Sequence, residues 1–209
     1  MNRICHEPGA RVLALGAHPD DLEIGAGGLL ARLAAEGARV TMVVIAVPNE
    51  LETRRIEAQA AARLIGADPI LLFDEGAARV EDAPMHELVR RLDRLVGDLR
   101  PTLVLTHSDK DLHWDHGLVH HATVAAVRRT PCDLLAYLSS PEMNAHARGA
   151  GECFVDITTS IETKLASIRC HTSQLSRIDV ESSRDLARAM GRICGYEYAE
   201  TFHVLRLRL

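Results

Sequence analysis

Arg11-Val12-Leu13-Ala14-Leu15-Gly16-Ala17-His18-Pro19-Asp20-Asp21 decides the fold. Arg11 to Ala17 is a short apolar run, the signature of a strand buried on both faces. Pro19 fixes its own φ and pushes His18 toward an extended conformation, so the turn that follows is stiff. Asp20 and Asp21 then stand side by side at the end of an apolar strand, which is costly without a compensating positive charge. A helix N-terminus supplies part of that charge and a divalent cation would supply more. These residues alone leave helix capping and metal binding equally open.

Outward from this turn, strand and helix signals alternate. Ile24 to Glu36 has helical spacing and stops at Gly37; Arg39 to Val47 is rich in Val and Ile and reads as a second strand. Leu51 to Ile65 is a helix stopped by Gly66, Ile70 to Phe73 a third strand, and Pro84 opens a helix to Leu99. Thr102 to Thr106 is a fourth strand, Asp115 to Arg128 a helix, and Leu134 to Leu138 a fifth strand. Strands joined by helices of this length form right-handed βαβ units. The expected class is therefore α/β: a Rossmann-like, mostly parallel sheet with helices on both faces. The C-terminal part is smaller and less regular. Ser139 to Gly151 is loop-like, Cys153 to Ile157 a short strand, Ser160 to Arg169 and Val180 to Met190 helices, and Phe202 to Leu207 an edge strand. No linker or repeat divides the 209 residues, so residues 1–209 are expected to form a single domain.

Composition narrows the function. The formal net charge of -5 argues against a nucleic-acid or anionic-membrane partner. No run of eighteen apolar residues exists, so no membrane span is expected. Met1 to Arg11 lacks the apolar core of a signal peptide, and the five cysteines are scattered without a C-x-x-C pair. The expectation is a cytoplasmic protein with free thiols. Gly25-Ala26-Gly27-Gly28 fails the dinucleotide fingerprint, because Leu30 stands where the pattern needs a small residue; tight helix–sheet packing explains it better.

A second polar cluster follows the fourth strand: His107, Asp109, Asp111, His113, Asp115 and His116, then His120 and His121. His113 and His116 are three apart and share a face in a helical first turn. Ligands bind beyond the carboxyl ends of parallel strands, which is where both clusters fall. One His and one Asp from the first cluster with one His from the second would form an N2O donor set, leaving a position for water as a catalytic zinc requires. His120 and His121 fit an ordinary helix surface better, and His107 stays open between a structural and a ligating role.

The chain resembles the PIG-L/LmbE family of zinc-dependent N-acetylglucosaminyl deacetylases. Ala17-His18-Pro19-Asp20-Asp21 and His113-Trp114-Asp115-His116 match its two signatures. Arg54-Arg55-Ile56-Glu57-Ala58 resembles its R-x-x-E-A helix. Phe154-Val155-Asp156-Ile157-Thr158, Lys164, His171-Thr172-Ser173-Gln174 and Tyr198-Ala199-Glu200-Thr201-Phe202 match later blocks. The resemblance implies that Zn2+ is held by His18, Asp21 and His116, that Asp20 is the general base, and that His113 stabilises the oxyanion or protonates the leaving amine. Asp115 would orient a histidine and raise the His113 pKa. Arg54, and Asp74 or Glu75, would contact substrate. Asp111-Leu112 stands where some relatives carry a tyrosine, and Tyr137 is a weak substitute that fits a core aromatic better. His171 to Gln174 either closes a wall of the site or packs structurally. The implied reaction is hydrolysis of the N-acetyl amide of an amino sugar conjugate, with specificity in residues 47–54, 74–83 and 139–152. Trimers or hexamers are common in the family. An amidase acting on a thiol–sugar conjugate, or a non-catalytic nucleotide- or sugar-binding module, are the alternatives.

Overall fold

The structure, a computed structural model, describes residues 9–76, 78–139 and 151–208. Strands β1 (Arg11–Gly16), β2 (Arg39–Val44), β3 (Asp68–Leu71), β4 (Leu103–His107) and β5 (Asp133–Tyr137) are mutually parallel. β6 (Cys153–Asp156) and β7 (Ala199–Arg206) complete a seven-stranded sheet in the order β3-β2-β1-β4-β5-β7-β6. The Rossmann-like α/β class read from the sequence is the one observed.

Both faces of the sheet are covered, and the alternation of the strands shows how. Val12 and Ala14 of β1 join one core with α1 (Asp21–Ala35), α2 (Leu51–Ile65), α5 (Ile161–Arg169) and α6 (Val180–Cys194). Leu13 and Leu15 point the other way, into a core with α3 (Met85–Leu99) and α4 (Trp114–Ala126). A fully buried Leu side chain contributes about 1.5–3 kcal/mol, so a strand buried on both faces anchors the whole sheet.

α1 lies unusually close to the sheet because of its glycines. A Cβ on Gly25 would overlap the Tyr137 ring, and one on Gly28 would sit 2.7 Å from Ile157 Cδ1. Packing, not nucleotide binding, is the use the structure makes of them.

Several boundaries differ from the sequence reading. β3 begins at Asp68 and includes Pro69, whereas counting apolar residues placed its start at Ile70. β3 is the sheet's edge, where proline costs no ladder bond. Phe202 to Leu207 is not an edge strand. β7 lies between β5 and β6, pairing antiparallel with β6 through Ala199–Phe202 and with β5 through His203–Arg206. Its two halves have different partners, so neither shows a clean alternation. The loop read at Ser139–Gly151 falls mostly outside the described residues.

The chain runs from β1 to β2 and β3 on one side and through β4 to β5 on the other. The order therefore reverses between β1 and β4, and the crevice beyond their carboxyl ends is the natural ligand position.

Candidate metal and catalytic centre

Both polar clusters meet at that crevice. Strand β1 delivers the His18–Asp21 turn and β4 ends at His107, whose Nε2 accepts the Ala17 backbone N–H at 3.0 Å. α4 begins directly after His113, which caps it through its own side chain.

Each histidine has one ring nitrogen tied down and one left over. Asp115 Oδ2 lies 3.0 Å from His18 Nε2, leaving Nδ1 toward Asp21 Oδ2 at 3.7 Å. Asp111 Oδ2 lies 3.0 Å from His116 Nδ1, leaving Nε2 3.3 Å from Asp21 Oδ1. A carboxylate behind a ligating histidine is the usual support of a metal site, fixing tautomer and ring direction. Two overlapping groups of donors lie within 4.8 Å of one another: His18, His113 and His116, and Asp21, His107 and His116. The trio His18, Asp21 and His116 draws one member from each group and shares His116.

The electrostatics fit a cation. Burial works against ionising Asp21, but His116 and His107 outweigh it and hold the carboxyl well below its ordinary range. Burial alone would lower His116; Asp21 and Asp111 outweigh it and raise the ring to about 10. Burial dominates at His107 and pushes it down to about 4, so the ring is neutral. Its Nε2 accepts from Ala17 and also faces Asp21 Oδ2 at 3.3 Å, one acceptor toward another, a repulsion that a cation at Asp21 would offset. Two imidazole nitrogens and a carboxylate suit zinc.

Asp20 behaves differently from its neighbour. Its φ is 99°, a left-handed conformation that Asp tolerates better than most residues, and its side chain makes no capping bond to α1. The turn therefore swings the carboxylate away from the helix and toward the cavity it lines. Burial, then the charge of Asp21, raises its pKa to about 7 against the opposing pull of His171 and Arg54. Arg54 is itself buried, with Nη2 3.5 Å from Asp20 Oδ2 and 3.2 Å from the Pro19 carbonyl.

His113 lines the same cavity. Asp115 was expected to raise its pKa; instead burial, His116 and His18 lower it. The reason is geometric. The Asp115 carboxylate is engaged with His18, while His113 Nδ1 accepts the Asp115 backbone N–H at 3.2 Å. The ring is then neutral with its proton on Nε2, a donor rather than a cation.

The structure does not bring the other expected substrate residues into this cavity. Tyr137 is fully buried and its hydroxyl donates to the Leu15 carbonyl at 2.8 Å. Asp74 is exposed, and Glu75 is tied to Arg91 at 2.7 Å. The cavity, about 320 Å3, is walled instead by Gln174, Arg177, Ile178 and Ser183 from the segment after His171. That segment is braced from below. Glu57 Oε1 and Oε2 accept three hydrogen bonds from Thr172 and Ser173 at 2.7–2.8 Å, and His171 Nε2 lies 3.3 Å from Glu23 Oε1. His171 to Gln174 is thus both packing and wall. Asp111, Ser139 and Glu23 carry no sequence motif of their own. Asp111, two residues before His113, was legible as a member of the second polar cluster and as a departure from a tyrosine pattern, but its place behind His116 was not.

Known proteins resemble this chain in sequence and fold. A family model described as PIG-L, GlcNAc-PI de-N-acetylase, matches residues 13–127. The uncharacterized deacetylase YaiS of Escherichia coli K12 is 30% identical over 135 residues, 60% of this chain and 72% of that protein. The diacetylchitobiose deacetylase of Thermococcus kodakarensis is 26% identical over 91% of this chain and 81% of its own. Among solved structures, the conserved protein TT1542 of Thermus thermophilus superposes with a TM-score of 0.79 at 27% identity, covering 95% of this chain and 96% of that one. The 4-carboxy-2-hydroxymuconate hydratase GalB of Pseudomonas putida superposes at 0.77 with 23% identity over 96% of this chain and 98% of its own, a likeness of fold alone. Among the described residues, no helix is long and apolar enough to cross a membrane.

Proposed function

We propose, from the premise that this chain belongs to the PIG-L family, that it is a zinc-dependent deacetylase hydrolysing the N-acetyl amide of an N-acetylglucosaminyl-type conjugate. The observation that carries this reading is the pair of free ring nitrogens, His18 Nδ1 and His116 Nε2, both turned toward Asp21 with Asp115 and Asp111 behind them. Beside them Asp20 has no metal-directed role to fill. The deacetylase names of YaiS and of the Thermococcus enzyme, and the GlcNAc of the family description, support the reaction and the sugar.

His18, Asp21 and His116 would hold the zinc. The metal, when bound, polarises the amide carbonyl and lowers the pKa of water. Asp20 accepts the proton of the attacking water, a task suited to an ionised carboxylate that lines the cavity beside the donor set. Arg54 keeps that carboxylate in place. His113 presents its Nε2–H to the oxygen that gains negative charge, and donors fixed in advance stabilise such charge without reorganising. The proton on Asp20 passes to the departing nitrogen as the C–N bond breaks, so acetate and free amine leave.

The test is a mass-spectrometric deacetylation screen over N-acetylglucosaminyl conjugates with zinc supplied. Release of acetate that stops on chelation and returns with zinc supports the proposal. Turnover that survives exhaustive chelation, or no turnover together with nucleotide-induced thermal stabilisation, would favour the non-catalytic module or another chemistry.

A further inference from the structure

Arg54 matches the family arginine expected to meet substrate hydroxyl or phosphate groups, but its guanidinium is already engaged by Asp20, the Pro19 carbonyl and Asn49. A different arginine stands on the cavity wall with its charge unspent. Arg177 is exposed, lines the cavity shared by His18, Asp20, Asp21, His113 and His116, and makes no side-chain hydrogen bond or ion pair among the described residues.

Its backbone is well held. Arg177 N–H and Ile178 N–H both donate to the Gln174 carbonyl, at 2.8 and 3.1 Å. Four residues earlier, Ser173 is fastened to Glu57; two residues later, Asp179 caps α6 through Glu181 and Ser182 N–H. The Cα of Arg177 therefore has little freedom, and only the side chain must order on binding. A guanidinium so placed is suited to an oxyanion, carboxylate or phosphate, that can accept two parallel N–H bonds. The cavity also presents the carboxylates of Asp20, Asp21 and Asp179, with Arg54 engaged by Asp20 and Asp179 engaged in capping α6, so an anionic substrate would be repelled unless a cation met its far end.

We infer that Arg177 forms a rim subsite for an anionic group, phosphate or carboxylate, carried on the aglycone side of the amino sugar. The inference rests on the deacetylase reading above and names its substrate class. The amide lies over His18, Asp21 and His116, and the anionic end lies against the turn at Gln174–Ile178.

The zinc-loaded full chain is assayed with N-acetylglucosamine 1-phosphate and with methyl N-acetylglucosaminide, as wild type and as Arg177→Gln. Wild type should prefer the phosphate by about tenfold in kcat/KM, and the preference should shrink with added salt. Arg177→Gln should lose that preference while the methyl glycoside changes less than twofold. Arg177→Glu should invert it. Calorimetric binding of glucosamine 1-phosphate and methyl glucosaminide reads the subsite without turnover, with a matching loss of phosphate affinity expected in Arg177→Gln. No preference for phosphate in either assay, or equal losses for both ligands in the variant, overturns the subsite. Absence of turnover with selective, Arg177-dependent phosphate binding would instead overturn the deacetylase reading and leave the subsite standing.

Discussion

Asp20 and Asp21 are chain neighbours with opposite protonation tendencies, and their surroundings explain it. Asp21 is flanked by imidazoles and stays ionised, while Asp20 sits behind it in a left-handed turn and holds a proton up to about pH 7. Replacing Asp20 with Asn keeps a residue that tolerates positive φ, so the fold and zinc content should be unchanged while turnover falls about a hundredfold or more, as loss of a general base does. Metal analysis beside the activity assay checks both halves; an active Asp20→Asn would remove Asp20 from the mechanism. The same residues predict proton release. Without an ion, His116 is raised to about 10 and is protonated at pH 7, and Asp20 is about half protonated. At the proposed site zinc would need the His116 Nε2 lone pair and would place positive charge beside Asp20, so both should lose protons on binding. Calorimetry at pH 7 in buffers of different ionisation enthalpy should show at least about one proton released per zinc. The sign follows: zinc binds more tightly as pH rises from 6 to 8, and no release would mean the ion sits elsewhere.

At the scale of elements, α1 is the part on which most depends, since it begins at the site and packs on the sheet through Gly25 and Gly28. In its middle, Gly28 N–H and Leu29 N–H donate at 2.8 Å to Glu200 of β7, instead of serving only the helix's own carbonyls. Lys164 of α5 completes the exchange, donating to the Glu23 and Ile24 carbonyls and to Glu200 at 2.6 Å. This buried pair joins α1, α5 and β7 at one point. Removing one partner leaves a charge uncompensated in the core, so Glu200→Ala should cost about 3–5 kcal/mol, read by urea unfolding. A cost within 0.5 kcal/mol of zero would show the pair to be dispensable. Gly25→Ala should cost at least about 1–3 kcal/mol, because Tyr137 must move. Neither Lys164 nor Glu200 carries a signal by itself in the sequence. Each stood out only within a family block, since a buried ion pair is made of residues that composition assigns to the surface.

For the whole molecule, the two hydrophobic cores lie on either side of the sheet, whereas the metal-type residues gather at its carboxyl end. Chelation should therefore abolish turnover yet leave the far-ultraviolet circular dichroism of a folded α/β protein; collapse of that spectrum would show the ion to be structural. The architecture was legible because β1, β2, β4 and β5 are continuous apolar runs separated by helices. The HPDD turn and the two His of the second motif were legible because their residue types and spacing suit a metal. The wall at Arg177–Ser183 was not, for no local periodicity records that the chain returns to the cavity there. The lowered pKa of His113 was not legible, because sequence adjacency to Asp115 does not tell which ring that carboxylate meets. One consequence lies in the order of synthesis. Ala17 and His107 touch across 90 residues of chain, and His116 comes later still. A nascent chain on the ribosome exposes Asp20 and Asp21 well before their imidazole partners emerge, so a metal at the proposed site would be loaded only after α4 has left the exit tunnel.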